Sequence, residues 1–144
     1  MKKKIVFKNR EYFGAGVILY HGRKILMQKV ESRNFWEDFG GKTDRGDKNI
    51  IETSFRECEE ESNNILNKEY LMAQIEKNPS RCYYLLQNNK YFIYMIYVNR
   101  KEKDRLKSEI FGKCEKHDGI ERVVEWISRN EKLHPRITTM LNRY

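Results

Sequence analysis

The stretch from Gly40 to Asn63 decides the fold, and it reads Gly-Gly-Lys-Thr-Asp-Arg-Gly-Asp-Lys-Asn-Ile-Ile-Glu-Thr-Ser-Phe-Arg-Glu-Cys-Glu-Glu-Glu-Ser-Asn. Its first half belongs to a glycine-punctuated segment, Phe35 to Gly46, that predicts a loop. Its second half predicts a helix from Asn49 to Ser62. A glycine loop that leads into a helix lets backbone amides and carbonyls approach a ligand closely.

Three carboxylates gather on one flank of this helix. Wound at 100° per residue from Ile51 at 0°, the glutamates Glu60, Glu57 and Glu61 fall at about 180°, 240° and 280°, beside an apolar face that carries Phe55. Such charges repel one another unless cations lie among them. Hard divalent ions take oxygen ligands together with substrate phosphates, so the cluster indicates a metal site. A solvated acidic helix face is the plainer alternative.

The same residues resemble the sequence box of the Nudix, or MutT-type, hydrolase family. That box is Gly, five residues, Glu, seven residues, then Arg-Glu-(apolar)-x-Glu-Glu-x-Gly-(apolar). Gly41 matches its first position, and Arg56 to Glu61 match its second half without a gap. Asp47 replaces the first Glu and lies one residue farther from Arg56 than in the family. Asn63 replaces the last Gly and tolerates the same left-handed turn.

The resemblance implies a single α+β domain over residues 1–144, an α/β/α sandwich with a mixed sheet in which the box forms a loop-helix-loop. It also implies a pyrophosphohydrolase that depends on Mg²⁺, with Mn²⁺ as a substitute. Its metal ligands would be Glu57, Glu60 and Glu61, with the carbonyl of Gly40 or Gly41.

Further roles follow from the same resemblance. Arg56 would orient a carboxylate through a salt bridge. A carboxylate outside the box often serves as the base; Asp118 and Glu121 are the candidates, and Glu121, five residues before Trp126, is preferred.

The rest of the chain predicts alternating strands and helices. Apolar runs predict strands at 14–20, 24–30, 70–76, 82–87, 91–99 and 120–127, and a turn at Asn88–Asn89. Helices are expected at 101–111 and 135–141, the second of which begins with Pro135.

Charge and composition limit the partners. The chain has 29 Lys and Arg against 21 Asp and Glu, a net charge of +8, which favours polyanions. Arg33, Lys42 and Arg45 are the cations nearest the box in sequence, and we expect them to steer a polyphosphate or an RNA 5′ end. The longest apolar run has eight residues, too short for a membrane span. Three widely spaced cysteines predict reduced thiols in a cytoplasmic setting.

Several substrates remain open at this point. The candidates are nucleotides (oxidised ones included), dinucleoside polyphosphates, nucleotide sugars such as ADP-ribose, capped RNA and inositol pyrophosphates. Two alternatives from other classes are a non-catalytic Nudix-fold module that binds nucleotides or RNA, and a general RNA-binding domain, which would not require the glutamates.

Overall fold

A long strand at the centre of the sheet organises the architecture of the computed structural model, which describes residues 4–88 and 90–142. Within these residues the strands are β1 (Ile5–Phe7), β2 (Arg10–Tyr12), β3 (Gly14–His21), β4 (Lys24–Val30), β5 (Phe39–Lys42), β6 (Tyr83–Gln87), β7 (Tyr91–Tyr97), β8 (Cys114–Glu115) and β9 (Ile120–Ser128). The helices are α1 (Ile50–Glu61), α2 (Lys68–Lys77), α3 (Arg100–Arg105), α4 (Ser108–Phe111) and α5 (Pro135–Leu141).

The main sheet is mixed. Its order is β6-β7-β3-β4-β9-β8; β3 runs parallel to β7, and the other pairs are antiparallel. The second edge of β3 is shared: β5 pairs with its first half, at Gly14 to Val17, and β4 pairs with its end, at Tyr20 and His21. The expected α+β class with a mixed sheet is confirmed.

Helices pack on both faces of this sheet because side chains alternate along each strand. On one face, α1 and α2 cover a core that includes Val17 and Leu19 of β3. On the other face, α5 covers a second core that includes Ile18 of the same strand. The longest apolar run of the sequence is buried, and most of it forms β7. None of the helices that the described residues form has the length and apolar character to cross a membrane.

Three predicted elements differ from the structure. Residues 70–76, predicted as a strand, lie in α2, because the side chain of Asn67 caps that helix by accepting from the backbone N–H of Tyr70 at 2.9 Å. The predicted loop at 35–46 contains β5. The predicted helix at 101–111 is divided into α3 and α4, with Leu106 buried between them. The predicted Asn88–Asn89 turn includes Asn89, which lies outside the described residues.

Candidate active site

The box helix α1 is fixed at both ends by asparagines. Asn49 caps its first turn by accepting from the backbone N–H of Glu52 at 2.8 Å. After the helix, Asn63 adopts the expected left-handed backbone angle, φ 55°, and Asn64 adopts one too, φ 65°. The Asn63 side chain donates to the carbonyls of Phe111 and Cys114 at 2.8 and 2.9 Å. These bonds tie the end of α1 to the segment that leads into the β8–β9 loop.

The buried face of α1 is wider than the expected one. Phe55 and Cys58 are buried as expected and Ile51 is half-buried, but the buried positions extend to Ile50, Thr53 and Ser54. Glu57 and Glu61 lie at the edge of this wider face and contact β5, so both carboxylates are half-buried against the protein instead of lying on a solvated flank.

Glycines in β5 make this approach possible. A Cβ at Gly41 would collide with the carboxylate of Glu57. The backbone N–H of Gly40 donates to Oε1 of Glu61 at 2.7 Å, and Nε2 of Gln28 donates to the same oxygen at 2.9 Å. The double glycine therefore lets two helix carboxylates contact a strand backbone directly.

Arg56 holds the loop and the helix together. Its Nε and Nη2 each donate to the Asp47 carboxylate at 2.9 Å, and Nη2 also donates to the carbonyl of Lys42 at 3.0 Å. Its Nη1 lies 3.1 Å from Glu57 and 3.4 Å from Glu60. The arginine thus contacts protein groups on several sides, the geometry of a positioning residue.

Asp47 forms the other half of this pair and is buried. Burial alone would raise its pKa, but hydrogen bonds from Arg56, the Asp44 N–H and the Thr53 hydroxyl outweigh that effect and hold the pKa below its usual range. Asp47, which stands where the Nudix box has glutamate, therefore still binds Arg56 despite its shorter side chain.

Two carboxyl groups of the helix, those of Glu57 and Glu61, have raised pKa values because burial outweighs the favourable contacts around them. Burial, followed by the nearby Asp38 carboxylate, raises the pKa of Glu61 to about 9, although the Gly40 N–H and Gln28 oppose the rise. Burial also raises the pKa of Glu57, against the opposing charge of Arg56. Half-buried carboxylates whose pKa values are raised despite these contacts form a donor set that suits a hard divalent cation.

The three glutamates do not share one cleft as the side chains stand. Glu57 and Glu60 line a cleft of about 460 Å³, here called the carboxylate cleft, whose other lining residues are Lys42, Thr43, Asp44, Arg56, His117 and Asp118. Glu61 lines the pocket on the other side of Gly41. Within residues 4–88 and 90–142, no group of three or more His, Cys, Asp or Glu is placed to hold a metal ion. The common ion site therefore stays a prediction.

Of the two candidates for the base, only Asp118 lies at the cleft. It lines the carboxylate cleft, and its charge contributes to the raised pKa of Glu57. Glu121, the preferred candidate, is exposed on β9 one residue before Arg122, whose Nη2 donates to the carbonyl of Glu61 at 3.0 Å. Successive strand residues face opposite sides, so Glu121 points away from α1 and lies beside Glu31, whose pKa it raises.

The three predicted steering cations occupy different places. Lys42 lines both the carboxylate cleft and the adjoining pocket. Arg33 lines that pocket and pairs with Glu37 at 2.7 Å. Arg45 is exposed at the tip of the loop. The structure therefore brings Arg33 and Lys42 to one pocket.

Sequence reasoning missed a buried network behind the glycines. Asp38 accepts from the Arg136 guanidinium at 3.0 Å and from the Tyr91 hydroxyl at 2.7 Å. These residues are 98 and 53 positions from Asp38 in the chain, so no local spacing could relate them. One sign of this network was present in the sequence: two successive acids, Glu37 and Asp38, lie shortly before the double glycine.

Compared with known proteins, the chain matches no protein-family model and no curated protein sequence. Its function is therefore inferred from the chemistry of the site.

Proposed function

We propose that this protein is a magnesium-dependent phosphoanhydride hydrolase of the Nudix type, which cleaves a diphosphate linkage in a nucleoside diphosphate joined to another group. The observation that carries the proposal is the contact of Glu57 and Glu61 with the Gly40–Gly41 backbone, fixed by Arg56. A mixed sheet with helices on both faces is compatible with this family.

The ligand set is the one that the resemblance implies, and two of its members, Glu57 and Glu61, meet at the double glycine. Glu57, Glu60 and Glu61 would hold Mg²⁺, or Mn²⁺ in its place, with a carbonyl of Gly40 or Gly41. When bound, the ion would neutralise phosphate charge and make a water molecule more acidic.

The chain's own residues perform the remaining tasks. Asp118, at the edge of the carboxylate cleft, accepts the proton of the attacking water, whose oxygen bonds to phosphorus as the bridging P–O bond breaks. Lys42 contacts phosphate oxygens from the end of β5. Arg56 keeps the loop and the helix carboxylates in place through Asp47 and the Lys42 carbonyl.

The decisive experiment compares two neighbouring glutamates on α1. Glu60 lines the carboxylate cleft, whereas Glu59 lies on another side of the helix, where its carboxylate accepts from the Lys68 N–H at 3.3 Å. With Mg²⁺ present, we expect Glu60→Gln to lower kcat at least about a hundredfold and Glu59→Gln to leave it within about twofold. The assay is phosphate release from a panel of nucleotide sugars, dinucleoside polyphosphates, capped RNA and oxidised nucleotides.

Two results would contradict the proposal. Activity that survives exhaustive chelation would exclude a metal-dependent reaction. Binding of panel members without turnover would instead support the non-catalytic binding module. In the comparison of the two variants, equal loss of activity would indicate a general structural effect.

A further inference from the structure

A basic pocket adjoins the carboxylate cleft on the other side of the double glycine. It measures about 420 Å³, and its charged lining consists of Arg33, Lys42, Lys90, Arg136, Glu37 and Glu61. Lys42 borders both cavities, so the two adjoin at the end of β5. Four cations and two carboxylates line the basic pocket, whereas carboxylates outnumber lysine and arginine in the carboxylate cleft.

The arginines of the basic pocket are held in place by neighbouring carboxylates. Arg136 donates to Asp38, and its guanidinium lies 4.2 Å from the centre of the Tyr91 ring. Asp38 is fully buried and also accepts from the Tyr91 hydroxyl. Arg33 is bound to Glu37. These two guanidiniums already have acidic partners that balance much of their charge, so their main contribution is to give the pocket a fixed shape.

The lysines provide the charge that is left for a ligand. Neither Lys42 nor Lys90 forms a salt bridge with any other residue of the described segments. The backbone places them together: the Phe13 N–H donates to the Lys90 carbonyl at 2.9 Å, and the Phe13 carbonyl accepts from the Thr43 N–H at 2.9 Å. Two lysines without acidic partners, on adjacent backbone segments, form a place for an anion.

We infer that the basic pocket binds a further phosphate group of the substrate, beyond the diphosphate that is cleaved. This inference rests on the proposed function and narrows its substrate class to molecules with three or more linked phosphates, in preference to nucleotide sugars. The diphosphate lies at the carboxylate cleft, and the extra phosphate crosses the Gly41–Lys42 edge into the basic pocket. The arginine side chains that line the pocket are already ordered, so little conformational entropy is lost when an anion binds.

The substrate test uses two compounds that differ in phosphate number: diadenosine tetraphosphate and ADP-ribose. We expect a higher kcat/KM for the tetraphosphate, and Lys90→Ala should lower the ratio of the two kcat/KM values about tenfold. Lys90→Arg keeps the charge and should restore most of the ratio. The matched control is Lys24→Ala, which removes an exposed lysine at the other end of β3, where Lys24 pairs with His21.

A metal-free binding measurement separates the pocket from catalysis. Calorimetry with inorganic tripolyphosphate should show binding that Lys90→Ala weakens about fivefold and Lys24→Ala does not change. If no member of the substrate panel is hydrolysed, the proposed function fails, and the calorimetry then decides on the pocket by itself. Two results would overturn the inference. One is hydrolysis in which Lys90→Ala leaves the ratio of the two kcat/KM values unchanged. The other is tripolyphosphate binding whose affinity Lys90→Ala does not change.

Discussion

Replacement of Asp47 by asparagine tests the link between the loop and the box helix. The Asp47 side chain is only 2% exposed and binds Arg56 through two hydrogen bonds of 2.9 Å. Asparagine has the same shape and can still accept from the Thr53 hydroxyl, which lies 2.8 Å away. The substitution therefore removes the charge and one of the two acceptor oxygens, while the packing is retained.

The expected loss of stability follows from the burial of the pair. Breaking a buried ion pair costs about 3–5 kcal/mol. Arg56 is 27% exposed and keeps its contacts with Glu57, Glu60 and the Lys42 carbonyl, so the loss should be lower, about 2–3 kcal/mol. At about 3 °C per kcal/mol for a chain of this size, Tm should fall by roughly 6–9 °C.

The assay is urea unfolding at several pH values, supported by calorimetry. A carboxyl group with a lowered pKa stabilises the folded state above its unfolded pKa, near 4, and this stabilisation is lost as the pH falls through the lower folded value. The difference between wild type and Asp47→Asn should therefore be constant from about pH 5 to 7 and shrink below about pH 4. Asp104→Asn, at an exposed position on α3, is the control for loss of a carboxylate.

A double-mutant cycle decides whether the pair itself is responsible. With Arg56→Gln as the second change, the coupling energy should exceed about 1 kcal/mol, since the two side chains are in direct contact. Coupling below about 0.5 kcal/mol, or a loss at pH 7 no larger than that of Asp104→Asn, would refute the reasoning.

Three further predictions concern the site and its support. Asp118→Asn should lower kcat at least about a hundredfold, whereas Glu121→Gln, on the other side of β9, should leave it within about twofold; steady-state kinetics distinguishes them. Gly41→Ala should lower both Tm and activity, because its methyl group meets a helix carboxylate, and Gly46→Ala, which adds a methyl in open space, should change neither. Burial, with the charge of Arg136, lowers the pKa of His134, whose Nδ1 caps α5 by accepting a backbone N–H at 3.1 Å. Its contribution to stability is present above about pH 6.5 and lost as the pH falls through the lower folded value, so urea midpoints at pH 7.5 and 5 should differ more for wild type than for His134→Asn.

Local patterns were sufficient for the elements whose boundaries are set by nearby residues. The box helix begins directly after Asn49, Asn63 follows its end with a left-handed turn, and Pro135 begins the last helix, close to the positions that the sequence indicated. Strands at 14–20 and 24–30 were equally readable because their apolar runs are separated by a short turn, which the structure places at Gly22–Arg23.

Other elements depended on contacts between distant residues. Strand β5 contains two glycines, poor strand formers, and it forms because Gly40 and Gly41 pair with Gly16 and Ala15 of β3. The segment at 70–76 contains residues common in strands, but the Asn67 cap and the burial of Leu71 against the sheet make it a helix.

The candidate site shows the same division. The sequence by itself supplied the carboxylates, the arginine and the glycines, because they lie within one contiguous stretch. Only the tertiary structure decided that Asp118 and not Glu121 reaches the cleft, since strand alternation next to Arg122 determines which side chain faces α1. It also decided that Lys90 and Arg136 share a pocket with Lys42, because the pairing of β3 with β5 and β7 joins segments far apart in the chain.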